Sequence, residues 1–97
     1  MTDPFEVRFT ERESRGRWAL YVEGEERGEM TFSRTTPELV IVDHTFTDPA
    51  LQGRGAGTRL FREMVAWARE TGTKVMATCP FALAMFDKYP DTADVRA

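Results

Sequence analysis

The chain has 97 residues, 41% apolar, 30% charged and 11% aromatic, an ordinary globular balance that excludes a disordered polyelectrolyte. A chain this short leaves no room for two independent cores, since a small domain buries only about 60–65% of its unfolded surface, so residues 1–97 are expected to form one domain. Sixteen acidic against thirteen basic residues give a net charge of −3, and no basic cluster is denser than Arg12, Arg15 and Arg17, so a nucleic-acid backbone is not an expected partner.

No eighteen apolar residues run consecutively, so no spanning helix and no membrane partner are expected. The single Cys79 cannot form an internal disulfide, and the opening M-T-D-P-F lacks the basic and then apolar run of a leader. A cytoplasmic protein is the expectation.

Strict alternation over Phe5 to Thr10 puts Phe5, Val7 and Phe9 on one face of a strand. Trp18, Leu20 and Val22 alternate again, and after E-G-E-E-R-G the stretch Glu29 to Ser33 points Met30 and Phe32 one way. Short polar loops joining these runs indicate an antiparallel meander. A fourth strand is expected over Glu38 to Phe46, and its apolar run Leu39 to Val42 suggests cover on both faces.

Beyond Pro49 the pattern changes. Q-G-R-G-A-G (Gln52 to Gly57) leads into a stretch where Leu60, Phe61, Met64, Val65 and Ala68 recur at helical spacing, ending at Gly72. Lys74 to Thr78 reads as a short strand and Phe81 to Tyr89 as a final helix stopped by Pro90, with a loose tail from Asp91. The predicted fold class is α+β: a mixed sheet with a meander of four antiparallel strands, then a strand-helix-strand parallel crossover and a short C-terminal helix.

Gly53, Gly55 and Gly57 immediately before a helix free the backbone for close approach by a ligand, and the helix end favours an anion such as a pyrophosphate. The plain alternative is a flexible connection that binds nothing. A dinucleotide fold would need more parallel strands, and a P-loop would need a Lys after Gly57; neither fits. The pattern [QR]-x-x-G-x-[GA], met as Gln52, Gly55 and Gly57 after four antiparallel strands, resembles the acetyl-coenzyme A motif of the GNAT acyltransferases. His44-Thr45, Gln52 to Gly57 and Cys79-Pro80-Phe81, in that order, resemble more narrowly the GNAT-like proteins of about one hundred residues, over nearly the whole chain.

The resemblance implies acetyl-coenzyme A as co-substrate, with its pantetheine arm in a gap between the fourth and fifth strands. Phe46 and Thr47 would offer backbone groups to that arm. Gln52, Gly53, Arg54, Gly55, Ala56, Gly57 and Thr58 would surround the pyrophosphate, with Arg54 and Arg59 as cations. No metal is expected, because one histidine and one cysteine do not make a zinc site.

Cys79, just ahead of a helix, is read in three ways: an inert buried thiol, a residue touching the cofactor, or an acyl-carrying nucleophile. His44 shares a predicted strand face with Val40, Val42 and Phe46, which suits a partly buried histidine; as a general base it would deprotonate an amine or Cys79. Asp43 and Asp48 read as solvated or turn-forming carboxylates. Tyr89 reads as a packed aromatic or, by the resemblance, as the acid for a departing thiolate.

GNAT enzymes carry two helices between their first two strands, where only Glu11 to Gly16 lies here. The acceptor groove is therefore expected to be shallow and open, or completed by a second subunit or partner. The expected function is acetyl transfer to an unidentified amine acceptor, with a non-catalytic acyl-coenzyme A binder or sensor, or a structural adaptor with an empty Gly loop, as alternatives.

Overall fold

Alternating apolar residues build the front half into strands whose inward faces need cover, and the stripe of the long helix supplies it. A computed structural model describes residues 4–97; the reading of residues 1–3 as part of a chain start without a leader lies outside them. Strands β1 (Phe5–Arg12), β2 (Arg15–Val22), β3 (Glu25–Thr36) and β4 (Leu39–Thr47) run antiparallel as neighbours. Helix α1 (Ala56–Thr71) crosses over to β5 (Lys74–Ala77), which lies parallel to β4, and α2 (Pro80–Lys88) follows. This is the mixed sheet predicted from the sequence, in the order β1-β2-β3-β4-β5.

The hairpins are tighter than expected. Two residues, Glu13 and Ser14, join β1 to β2, where the sequence suggested six. Glu23 and Gly24 join β2 to β3 with φ of 50° and 81°, the double positive φ that matches strand twist in a two-residue turn. The meander is correspondingly longer, β3 alone running twelve residues.

One face of the sheet holds the core: Trp18, Leu20, Met30, Phe32, Val40 and Val42 pack against Leu60, Phe61, Met64, Val65 and Ala68. Trp18 and Phe32 lie 5.1 Å apart between ring centroids, and Trp67 closes over them at 5.4 and 5.3 Å. Both helices sit on this face, Phe61 meeting Phe86 edge-on at 5.0 Å. The expectation that Leu39 to Val42 is covered on both sides is therefore corrected: Val40 and Val42 are buried, while Leu39 and Ile41 are only half-buried and turn to the face without helices. A continuous apolar run gives no sign that one of its faces lacks a covering layer.

Two further differences position the site. The register of β3 against β4 slips between Thr31–His44 and Phe32–Val42, leaving Asp43 as an extra residue. This bulge reverses the alternation, so Thr45 and Thr47 continue the helix face while His44 and Phe46 join Asp43 on the opposite one. The shared face of His44 with Val40 and Val42 is thereby overturned. The tail is also not loose. Thr92 and Val95 are buried, the Val75 amide donates to the Val95 carbonyl and the Ala97 amide to the Val75 carbonyl, both within 2.8 Å, and Arg62–Asp91 and Arg69–Asp94 pairs tie it to α1. The outer edge of β5 needs hydrogen-bond partners, and the tail meets that need where composition alone suggested solvent.

Gly16 faces the buried ring of Phe32; a Cβ there would fall 2.1 Å from Cζ. Because that ring is pinned among Trp18, Phe9 and Trp67, Gly16→Ala is expected to destabilise the protein by about 1–3 kcal/mol, read as a lower urea midpoint at unchanged m-value.

Candidate functional site

The connection from β4 to α1 is held from below and bare above. The Asp48 carboxylate accepts the Ala50 amide at 2.9 Å and caps a short 3-10 turn over Pro49–Leu51. The Arg27 guanidinium holds the other Asp48 oxygen at 2.5 Å, and the bond from the Ala50 amide, with that guanidinium, keeps the carboxyl below its ordinary range. The Arg54 amide then returns to the Leu51 carbonyl at 3.0 Å.

Gly55 is the N-cap of α1 in a left-handed conformation, φ 86°, with no side-chain cap and no acidic residue in the first turn. The leading amides of Ala56, Gly57 and Thr58 are therefore left to an external acceptor, at the positive end of the helix dipole. The three glycines divide into two kinds. A Cβ on Gly53 or Gly55 would meet nothing within 4 Å, so these two serve positive φ, whereas a Cβ on Gly57 would fall 2.7 Å from the Phe81 ring. Gly57 admits a protein side chain rather than a ligand.

A cleft of about 410 Å³ opens over this loop, lined by Thr47, Leu51, Gln52, Gly53, Gly55, Ala56, Gly57, Thr58 and Phe81. Arg54 is exposed beside it, without an ion pair among the described residues. Arg59, expected beside a phosphate, is turned toward β1 instead, bonding Glu63 at 3.0 Å and the Phe5 carbonyl at 3.2 Å.

Strands β4 and β5 pair from Leu39–Lys74 to Val42–Ala77 and no further. There the Val42 carbonyl takes two amides, Thr78 at 3.0 Å and Cys79 at 3.3 Å, while β4 runs on alone to Thr47. The Asp48 amide bonds the Arg27 carbonyl, which with the Gly28–Thr47 pairing phases the ladder so that the Phe46 carbonyl accepts from Glu29. The backbone of Phe46, expected to face the gap, is thus committed to β3, and it is Thr45 and Thr47 that turn theirs to the open side. Phe46 offers its ring, 51% exposed on the other face.

Cys79 is buried at the N-cap of α2, and its thiol donates to the Thr45 hydroxyl at 3.4 Å. His44 lies on the opposite face, 56% exposed, with Nε2 3.6 Å from a Glu29 carboxylate oxygen. The sheet thus separates the two residues read as a base and its thiol. Asp43, beside them at the bulge, accepts from Thr31 and Arg15, each at 2.7 Å. Burial acts to raise its pKa, but these bonds outweigh it and hold the carboxyl below the usual range. Tyr89 stacks on Phe61 at 6.2 Å beneath the Arg62 guanidinium and does not line the cleft.

Leu51 in the cleft carried no signal of a site role in the sequence, Thr45 was marked only as the second residue of the His44-Thr45 element and not as a partner of Cys79, and nothing marked Glu29 as a partner of His44. Both pairings depend on a bulge that no glycine or proline announces.

A family model described as GCN5-related N-acetyl-transferase matches residues 17–95, and the chain belongs to that family. No curated protein sequence matches the chain. Among solved structures, a GCN5-like protein from Staphylococcus aureus is 27% identical, covering all of this chain and 91% of its own, with a TM-score of 0.70. Tetrahymena GCN5 and the Escherichia coli ribosomal-protein-S18-alanine N-acetyltransferase share the fold at 18% and 14% identity, each with a TM-score of 0.68. The chain spans only 51% and 53% of those two structures. Among the described residues there is no helix long and apolar enough to cross a membrane.

Gly57→Ala and Phe81→Leu are expected to be coupled: the alanine should destabilise the wild-type protein but much less the leucine background, with an interaction energy of about 0.5–3 kcal/mol in a double-mutant cycle. The depressed pKa of Asp43 contributes stability that is present above its unfolded value of about 3.9 and is lost as pH falls through the folded value. Asp43→Asn is expected to flatten the acid limb of the urea midpoint measured against pH.

Proposed function

We propose that the chain binds acetyl-coenzyme A in the cleft over the Gly loop and transfers its acetyl group to an amine presented from the open face of the sheet. The observation that carries this reading is the uncapped N-terminus of α1, whose leading amides look into a cleft with no acidic side chain in the first turn. Those amides suit a diphosphate, and Arg54 is positioned beside them as a cation. Thr45 and Thr47 present an unpaired strand edge to an extended arm, as an added strand would require.

When bound, the thioester supplies an activated acetyl group. His44, on the open face and 3.6 Å from Glu29, takes the proton of the attacking amine at an imidazole nitrogen. Cys79 lies across the sheet from His44 and touches Thr45 at the gap, which suits a residue lining the thioester. Transfer through an acetylated Cys79 is the variant within this reading. The shortness of the Glu13–Ser14 hairpin favours a second reading, a non-catalytic acyl-coenzyme A binder, because no helices wall an acceptor groove.

Isothermal titration with coenzyme A and acetyl-coenzyme A is expected to give saturable binding that weakens about tenfold in Arg54→Glu; absence of heat with either ligand at millimolar concentration would remove both readings. In an amine screen followed by thiol release, His44→Gln is expected to lose about 100-fold in turnover with unchanged coenzyme affinity. Uniform background rates across amines would leave the binder. Intact mass of Cys79→Ala after incubation with acetyl-coenzyme A tests the variant: a retained acetyl adduct excludes Cys79 as its carrier.

A further inference from the structure

The face of the sheet without helices carries a pocket of about 270 Å³, lined by Thr10, Arg12, Arg15, Gly16, Arg17 and Thr31. It lies on the β1–β3 side of the bulge and shares no lining residue with the cleft over the Gly loop. Three of its six lining residues are arginines and none is acidic, in a chain of net charge −3.

Strand register makes this arrangement unfavourable in isolation. Arg12 stands directly opposite Arg15, and Thr10 opposite Arg17; like charges facing each other across an antiparallel pair destabilise it. Arg15 is fixed by Nη1 alone, on Ser33 and Asp43 at 2.5 and 2.7 Å. Arg17 is fixed by Nε and Nη2 on Glu29 and by Nη2 on Glu26. These carboxylates anchor the two guanidiniums and, among the described residues, leave the Arg15 Nε and Nη2 and the Arg17 Nη1 without a protein acceptor. Arg12 has no carboxylate partner among the described residues.

We infer that this pocket is an oxyanion site, taking a carboxylate or a phosphate group. The open Nε–Nη2 edge of Arg15 and the Nη1 of Arg17 supply N–H donors, Arg12 closes the site as a third cation, and the Thr10 hydroxyl flanks it, the Thr31 hydroxyl being spent on Asp43. The anion neutralises the Arg12–Arg15 opposition, so binding and strand pairing reinforce each other. The inference does not depend on coenzyme binding.

The test uses the 15N-labelled full chain, titrated with orthophosphate and separately with succinate at ionic strength held constant with chloride. Saturable movement of the Gly16, Arg17 and Thr31 amides is expected with at least one of the two, and which one responds identifies the group. Arg12→Glu is expected to weaken that response at least about tenfold and, by placing opposite charges across the strand pair, to raise the thermal midpoint in chloride alone. Arg12→Gln provides the same binding readout without the reversed charge. Linear, unsaturable shifts with both anions, or a response unchanged in both variants, would overturn the site. The amides of Gln52 to Thr58 are read separately, so a silent Gly loop leaves this result interpretable.

Discussion

The architecture depends on one carbonyl. Val42 accepts the amides of both Thr78 and Cys79, which closes the β4–β5 ladder and turns the chain from β5 into α2 while β4 continues. Had the ladder run on, the Thr45 and Thr47 edge would be paired and the sheet would offer no gap. The adjoining bulge at Asp43 acts on the same five residues: it sends alternate side chains to new faces, bringing Thr45 to Cys79 and His44 to Glu29. Backbone pairing thus sets the site before any side chain contributes chemistry.

The layer arrangement follows from chain length. With no helices between β1 and β2, both helices are committed to one face, and the aromatic group of Phe9, Trp18, Phe32 and Trp67 concentrates the core there. The opposite face is covered by its own side chains. Arg17, Glu26 and Glu29 form one network and Arg15, Ser33 and Asp43 another, so that long polar side chains lie over small ones and Ala19 remains only 3% exposed between them. Such exposed pairs contribute little stability individually; their effect is to fix where each guanidinium and carboxylate points.

Much of this was legible in the sequence because period and punctuation act locally. Phe5-Val7-Phe9 and Trp18-Leu20-Val22 declare strand faces, Leu60 to Ala68 a helix stripe, and Gly53 and Gly55 a bare helix entrance; all of these stand in the structure. What the residues did not disclose is what depends on partners far along the chain. The bulge at Asp43 comes from register against β3, the docking of Val95 from the free edge of β5, and the half-exposure of Ile41 from a layer that is missing. Gly57 illustrates the limit well, since its spacing matches a ligand loop while its neighbour is Phe81.

The pairing of residues 95–97 along Val75 has a consequence for assembly. A sheet is open to growth wherever an outermost strand shows unbonded main chain, and on this side the protein already fills that position with itself. Outside the short Thr45–Thr47 edge at the gap, recruitment of another polypeptide by strand addition is therefore directed to the opposite border, along β1, whose charged residues Glu6, Arg8 and Arg12 discourage casual self-association. A fusion appended after Ala97 would pull on the segment that seals the sheet, whereas one attached elsewhere would leave that seal undisturbed.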